Sequence, residues 1–485
     1  MSFITDIIDD VFSGLESLFK AEPKLLDAKF GNESDFFSRK NTGFSLGQKS
    51  MTTLQSRNNC LLFAPSGAGK TTTCLYPTAI KIALSKEGNS MVINNPSGEL
   101  SQLKNFLIHQ GYTVLKFDPN DAEHSIHYNP LSRIRTDADI QKVAKMIVSG
   151  SNKEAKDFWV IKAQELIALI ITFLITHAPK VNQNLGNVYY LLQHLAGDED
   201  VINGLFADKA TDNEWRTYKS IISNSPNTKA SIISSAIASL SFIGSDATLC
   251  NLTSVDTFDS ERMRKEKVVL FLNCPLSDAS YYEVLMGLFF EQLFSEVFDT
   301  LPRGDDKDIF LLIDELSSIP MPNLANVISN ARKFRLPILG VLQSENQLYE
   351  KYGQYNAKTI INNATRIYMT GLTDECDRLE KTLGTKQYYA DKDKKVVRSR
   401  PLMSADEIRT MPIDRVIVLP NGGVHPLCVK VKPYYKIPKY KRYMEMDLPL
   451  GHTPITPFKY EAQYLSLDKY HSTETVVETT NNEAI

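Results

Sequence analysis

Residues 64–71 read APSGAGKT, a glycine-rich turn that ends in Lys-Thr. That spacing suits a phosphate-holding loop, because the wrapped backbone points its N–H groups inward and delivers an anion to the start of the following helix. Ser66, Gly67, Ala68, Gly69 and Thr72 are the expected cradle, Lys70 the cation for the β- and γ-phosphates, and the Thr71 hydroxyl a ligand of Mg2+. Ala64 stands where the pattern usually has its first glycine, the smallest departure available. A second station follows at IFLLIDEL, where Asp314 is expected to hold Mg2+ through water and Glu315 to orient and polarise an attacking water. Gln343, which closes ILGVLQ, is placed to sense the γ-phosphate. A base for water and a sensor favour an ATP-hydrolysing motor over a nucleotide kinase, which needs an acceptor site instead.

These residues need buried strands to carry them. CLLFA, MVINN, YTVLKF, VVLFLN, IFLLID, ILGVLQ, RIYMT and RVIVL are mostly continuous apolar runs, as expected for strands covered by helices on both faces of a mostly parallel sheet. The fold class is therefore α/β. Between residues 137 and 262 the pattern changes to long helical periods, which predicts an all-α inserted domain between two halves (51–136 and 263–445) of one nucleotide-binding domain. Residues 1–50 form a lead-in with an amphipathic helix, whose apolar residues from Phe3 to Phe19 oppose an acidic face; protein packing is favoured over a membrane surface. Residues 446–485 are expected to form a C-terminal extension ending in an acidic tail, HSTETVVETTNNEAI, whose lack of a core pattern predicts disorder.

Composition narrows the classes further. The chain has 485 residues, 42% hydrophobic and 23% charged, enough for more than one sizeable core. A net charge of -3 means that any nucleic-acid contact must come from local basic surface. The six cysteines are scattered without metal-ligand spacing, which predicts buried thiols in a reducing compartment. The apolar run LIALIITFLI is shorter than the roughly 20 residues a bilayer needs. GFSLG (43–47) fits a nucleophile elbow in letters only, since no buried strand precedes it. The stretch VKVKPYYKIPKYKRY (429–443) reads equally as a surface that stacks and neutralises a nucleic-acid strand or as an edge strand with a surface extension, and DKDKKVVRSR (391–400) reads as a solvated loop.

The order of phosphate loop, NNPSGEL, YTVLKFDPND, YNPL, KDFW, LLIDEL, LPILGVLQSENQLYEKYG, NNATRIYMTG and RPLMSADEI resembles the TraG/TraD-type coupling proteins of conjugation and type IV secretion. The resemblance covers about residues 50 to 435 and implies a RecA-like P-loop NTPase core with a helical insertion. It implies a hexameric ATPase, with ATP and Mg2+ as cofactors, that receives single-stranded DNA with a relaxase attached and drives it into a type IV secretion channel. Arg332 matches the position of an arginine finger that reaches the neighbouring subunit's ATP, with Arg366 a weaker candidate. Two departures stand out. The family usually reads Asp-Pro-Lys-Gly-Glu where this chain has Asn95 to Glu99, and its usual pair of N-terminal membrane helices is not seen, which implies a cytoplasmic member that either docks peripherally on the membrane through a partner or works from the cytosol. A coupling protein that mainly recruits protein effectors, and a DNA pump of the FtsK/HerA kind, stay open as alternatives.

Overall fold

The computed structural model describes residues 27–151, 158–390, 396–452 and 456–471. The amphipathic helix expected over Phe3–Phe19, the acidic tail after His471 and the first half of the 391–400 segment lie outside them.

Nine strands form one sheet: β1 (Cys60–Phe63), β2 (Ser90–Asn94), β3 (Thr113–Phe117), β4 (Val268–Leu272), β5 (Ile309–Ile313), β6 (Ile338–Leu342), β7 (Thr365–Tyr368), β8 (Arg415–Leu419) and β9 (Leu427–Lys430). Their order across the sheet is β9-β8-β7-β1-β6-β5-β2-β4-β3, parallel from β7 through β3 and antiparallel at β8 and β9. Each of the eight apolar runs became a strand, as the α/β reading requires. β9 begins two residues ahead of the edge strand that was one of two readings of the 429–443 stretch, and its burial alternates as an edge strand's does.

Both faces of the sheet are covered, which explains why the central strands are apolar throughout. Leu61 and Phe63 point into one core, while Cys60, Leu62 and Ala64 point into the other. Helix α1 (Tyr76–Ala83) leaves the β1 turn through a π-helical stretch, Thr71–Leu75. Such local widening is common at functional sites.

The first core runs on without interruption into a helical unit of α2 (Asp137–Ser151), α3 (Phe158–His177), α4 (Leu185–Gly197), α5 (Glu199–Lys209), α6 (Asp212–Ile222) and α7 (Pro226–Ser239). α3 is long and apolar enough to cross a membrane, yet ten of its residues, among them Leu166, Ile167, Ile170, Ile171, Phe173 and Leu174, are buried against α2, α6 and α7. Burial of each such side chain contributes about 1.5–3 kcal/mol, enough to hold this helix inside the protein.

Three further helices frame the site: α8 (Glu283–Asp299), α9 (Leu324–Ala331) and α10 (Asn346–Asn362). The helical unit is fixed to the sheet domain by Arg133. Its side chain is 7% exposed and pairs with Asp256 at 2.7 Å and with Glu296 of α8 at 2.9 Å. Residues 456–471 lie along the helical unit, where Asn182 and Asn187 donate to the Gln463 carbonyl and Leu467 is buried.

Two charged segments settled differently from their sequence readings. Val397–Pro401 is the second strand of a hairpin with Thr385–Tyr389 rather than loop, its side chains mostly exposed. In the 429–443 stretch, β9 is followed by α11 (Pro438–Met444), and three of the tyrosines are committed to the protein itself. Tyr434 packs on Tyr76 with centroids 4.4 Å apart, Tyr443 stacks on Phe106 at 4.4 Å, and Tyr440 is buried. Tyr435 alone of the four is exposed, so the stretch is an edge strand and a surface extension, with no row of rings free to stack on bases.

Candidate functional site

Strands β1, β6 and β5 are neighbours, so their C-terminal ends present three turns side by side. In open parallel sheets this edge is where ligands bind. The first turn is the phosphate loop. Gly67 and Gly69 have φ of +80° and +83°, conformations that L side chains resist. No heavy atom lies within 4 Å of the space a Cβ at Gly67 would take, so the loop is open where a ligand would sit. Ala64 is fully buried and its backbone is not left-handed, so the missing first glycine costs the loop nothing in conformation. Its N–H donates to the Leu342 carbonyl at 3.0 Å and ties the loop's start to β6.

The second turn carries the two carboxylates. Thr71 Oγ1 donates to Asp314 Oδ2 at 3.3 Å, and Lys70 Nζ stands 4.0 Å from Glu315 Oε2. Asn94, at the end of β2, donates to the Asp314 carbonyl at 3.2 Å. Burial pushes the Asp314 carboxyl up to about 6; the Thr71 hydroxyl and Lys70 oppose this, and the carboxylates of Glu315 and Glu99 add to it. Asp314 and Glu315 thus share one lysine while Glu99 adds further negative charge, an excess that a divalent cation relieves. Among the described residues no group of three or more Asp, Glu, His or Cys is placed to hold a metal ion; the Thr71 hydroxyl and the Asp314 carboxylate are the oxygens that would hold Mg2+ together with phosphates and water.

Glu315 has φ +85°, unusual for a residue with a side chain. Such backbone costs about 1–3 kcal/mol and persists only where its surroundings over-determine it. They do so here. Gln343 Nε2 donates to Glu315 Oε2 at 3.2 Å, Gln347 Nε2 to Oε1 at 3.5 Å, and the Ser317 hydroxyl also donates to Oε1.

The structure therefore brings Gly67, Gly69, Lys70, Thr71, Asp314, Glu315 and Gln343 to one edge. Arg332 is elsewhere. It caps the C-terminus of α9, next to Arg335, whose carbonyl accepts from Ile309 at the start of β5, and it is exposed with no side-chain partner among the described residues. Arg366 lies within β7, and its Nε is buried without a partner among the described residues. Ser45 of GFSLG is buried, with its hydroxyl bonded to the Gly43 carbonyl and to Ser50, so it is no nucleophile.

Asn95 explains one departure. Its side chain donates to Ser101 and Asn273 at 2.9 Å and accepts from Leu100 N–H at 3.0 Å, so it is fully used as a turn anchor. Asn94, Ser317 and Gln347 were not foreseen. Gln347 carried a faint signal, four residues after Gln343 at the start of a helical pattern.

Comparison with known proteins gives this edge a context. In sequence the chain is 24% identical over 417 residues to VirD4 of Rhizobium radiobacter, covering 80% of this chain and 58% of that protein. It is 23% identical over 408 residues to the probable conjugal transfer protein TraG of Sinorhizobium fredii, covering 76% and 61%. The chain thus spans about three fifths of the length of these relatives. In structure it is similar to the bacterial conjugative coupling protein TrwB in its unbound form, with a TM-score of 0.64 at 18% identity over 84% of this chain and 94% of the other. It is likewise similar to TrwB in complex with ADP and Mg2+, at 0.61 and 19% over 81% and 89%. These likenesses agree with the P-loop NTPase fold. Residues 15–449 match the model of the type IV secretory system conjugative DNA transfer family, and the chain belongs to that family.

Proposed function

We propose that the chain is an ATP-driven coupling ATPase that moves DNA toward a type IV secretion or conjugation channel. The observation that carries the reading is the Lys70–Thr71–Asp314–Glu315–Gln343 constellation on three adjacent strands. The loop N–H groups from Ser66 to Thr72 and Lys70 would bind the polyphosphate, and Thr71 with Asp314 would hold Mg2+, which supplies charge neutralisation between the β- and γ-phosphates when bound. Glu315 orients a water whose oxygen forms the new bond to the γ-phosphorus as the bridging P–O bond to ADP breaks. The water's proton passes to the Glu315 carboxylate. Arrival of the γ-phosphate draws Lys70 away from Glu315, and Gln343, bonded to that carboxylate, reports the change to β6.

The same reading takes Arg332 as a finger offered to a neighbouring copy, and so implies a homo-hexameric ring. It also takes single-stranded DNA, a relaxase and channel components as partners, and places the protein in the cytoplasm, docked peripherally at the membrane. It keeps the division into 1–50, 51–136 with 263–445, 137–262 and 446–485.

The test is steady-state ATP hydrolysis by the full chain, with and without single- and double-stranded DNA. DNA-raised turnover that Lys70→Ala and Glu315→Gln abolish supports the reading. Turnover that ignores DNA at every protein concentration overturns the pump, and turnover that survives both substitutions overturns the site.

A further inference from the structure

Glu315 sits on a short loop, 315–319, and the groups that fix this loop come largely from one face of α10. Gln347, in the first turn of that helix, has a bidentate role. Its Oε1 accepts the Gln343 backbone N–H at 2.8 Å, while its Nε2 faces Glu315 Oε1 at 3.5 Å. Gln347 therefore touches the sensor and the water-orienting carboxylate at once.

Four residues on, and so on the same helix face, Lys351 closes the other side of the loop. Its Nζ donates to the Ser317 carbonyl at 2.6 Å, to the Ile319 carbonyl, and at 3.5 Å to that of Leu316. No carboxylate pairs with it among the described residues, although the residue as a whole is exposed. Burial of the ammonium pushes its pKa down to about 8, against the attraction of Glu283 and Glu315. A solvated ion pair would be the less demanding use of a lysine. This one gives its donors to the backbone of the loop whose first residue has φ +85°. A strained residue holds its conformation only if its neighbours fix it, and carbonyl anchors do so without competing for the carboxylate. Just beyond Lys351 the helix breaks at Gly353 (φ 74°, ψ 166°), so the two side chains occupy a short stretch set off from the rest of α10.

We infer that Gln347 and Lys351 are a positioning pair for hydrolysis: together they fix the Glu315 loop and couple it to Gln343, so that carboxylate and sensor move as one unit. The inference rests on the proposed ATPase reading. Neither side chain bonds to the phosphate loop or to Asp314 among the described residues, so both act through Glu315 and Gln343 and affect turnover more than binding.

The experiment measures ATP turnover and fluorescent-nucleotide affinity of the full chain with DNA present. Gln347→Leu, Lys351→Met and Lys351→Arg are compared in the wild-type and Glu315→Gln backgrounds, with a thermal melt of each. Gln347→Leu and Lys351→Met are expected to lower kcat between about tenfold and a hundredfold, the scale of a misplaced catalytic group, with nucleotide affinity kept within about twofold. Lys351→Arg restores most of the rate, and in the Glu315→Gln background neither substitution lowers the residual rate further. Unchanged kcat, a fall matched by lost affinity, or a further fall in the Glu315→Gln background overturns the pair while leaving the ATPase reading intact. A wild type without turnover, or a Glu315→Gln variant as active as it, overturns both. Gln347 is only half-buried, so its leucine variant is expected to fold and to decide the matter if Lys351→Met does not.

Discussion

Replacing Asp314 by asparagine should make the ligand-free protein more stable while disabling its site. Burial raises the Asp314 pKa from about 3.8 to about 6, and each unit corresponds to about 1.4 kcal/mol, so the ionised carboxylate costs the fold about 3 kcal/mol at neutral pH. The sign follows from proton binding. Below about pH 4 the group is protonated folded or unfolded, and the cost is absent. Between about 4 and 6 the folded state binds more protons than the unfolded chain, so stability falls as pH rises, and above about 6 the full cost is present. The substituted amide keeps an oxygen for the Thr71 hydroxyl but adds an NH2 group that needs a partner, which leaves a net gain of about 1–2 kcal/mol. Thermal melts without nucleotide and with EDTA should show Asp314→Asn ahead by a few degrees at pH 7.5, with the gap closing as pH falls toward 4. Adding Mg-ATP should reverse the order, because only the wild type gains from the ligand. A gap that does not change with pH, or a variant less stable at pH 7.5, would refute the claim that this carboxylate is desolvated and short of positive charge.

Gly371 has φ +87°, and a Cβ there would stand 2.9 Å from Cγ of Pro65 in the phosphate loop, so Gly371→Ala should weaken nucleotide binding several-fold in a fluorescence titration. The same change should cost about 1–2 kcal/mol in stability. Arg133→Ala leaves the partly buried Asp256 and Glu296 without their cation and should destabilise by about 1.5–3 kcal/mol in urea unfolding. Arg332→Ala should lose turnover alone yet regain part of it when mixed with Lys70→Ala protein, since a Lys70→Ala copy still offers its Arg332 to the intact nucleotide site of its neighbour; failure to recover in any mixing ratio counts against a shared site.

Much of this was legible because buried parallel strands write their burial into consecutive residues. IFLLI and ILGVL have no polar position at all, so strand class and the site-bearing ends at Asp314 and Gln343 could be read directly. The hairpin ending at Val397–Pro401 was not legible, since its strand residues VRSRP are charged and exposed and only pairing with Thr385–Tyr389 makes them a strand. Gln347 and Lys351 were hidden for a different reason. Their partners are backbone groups and a carboxylate about 30 residues away in sequence, and side chain to backbone contacts leave no mark in residue type.

Arg332 shows where the sequence and a single chain part company. Its match to an arginine-finger position implied a reach to the neighbouring subunit's ATP, and within the chain α9 carries it from the edge where β5 ends back to the edge where β5 and β6 begin. The length of β6, five residues at about 3.3 Å each, separates it from the phosphate loop of its own chain. An exposed guanidinium at that distance, without a partner among the described residues, does nothing for its own nucleotide. If Arg332 has any part in hydrolysis, the phosphate it meets belongs to another copy, and a motor so built cannot run at full rate until its copies are assembled.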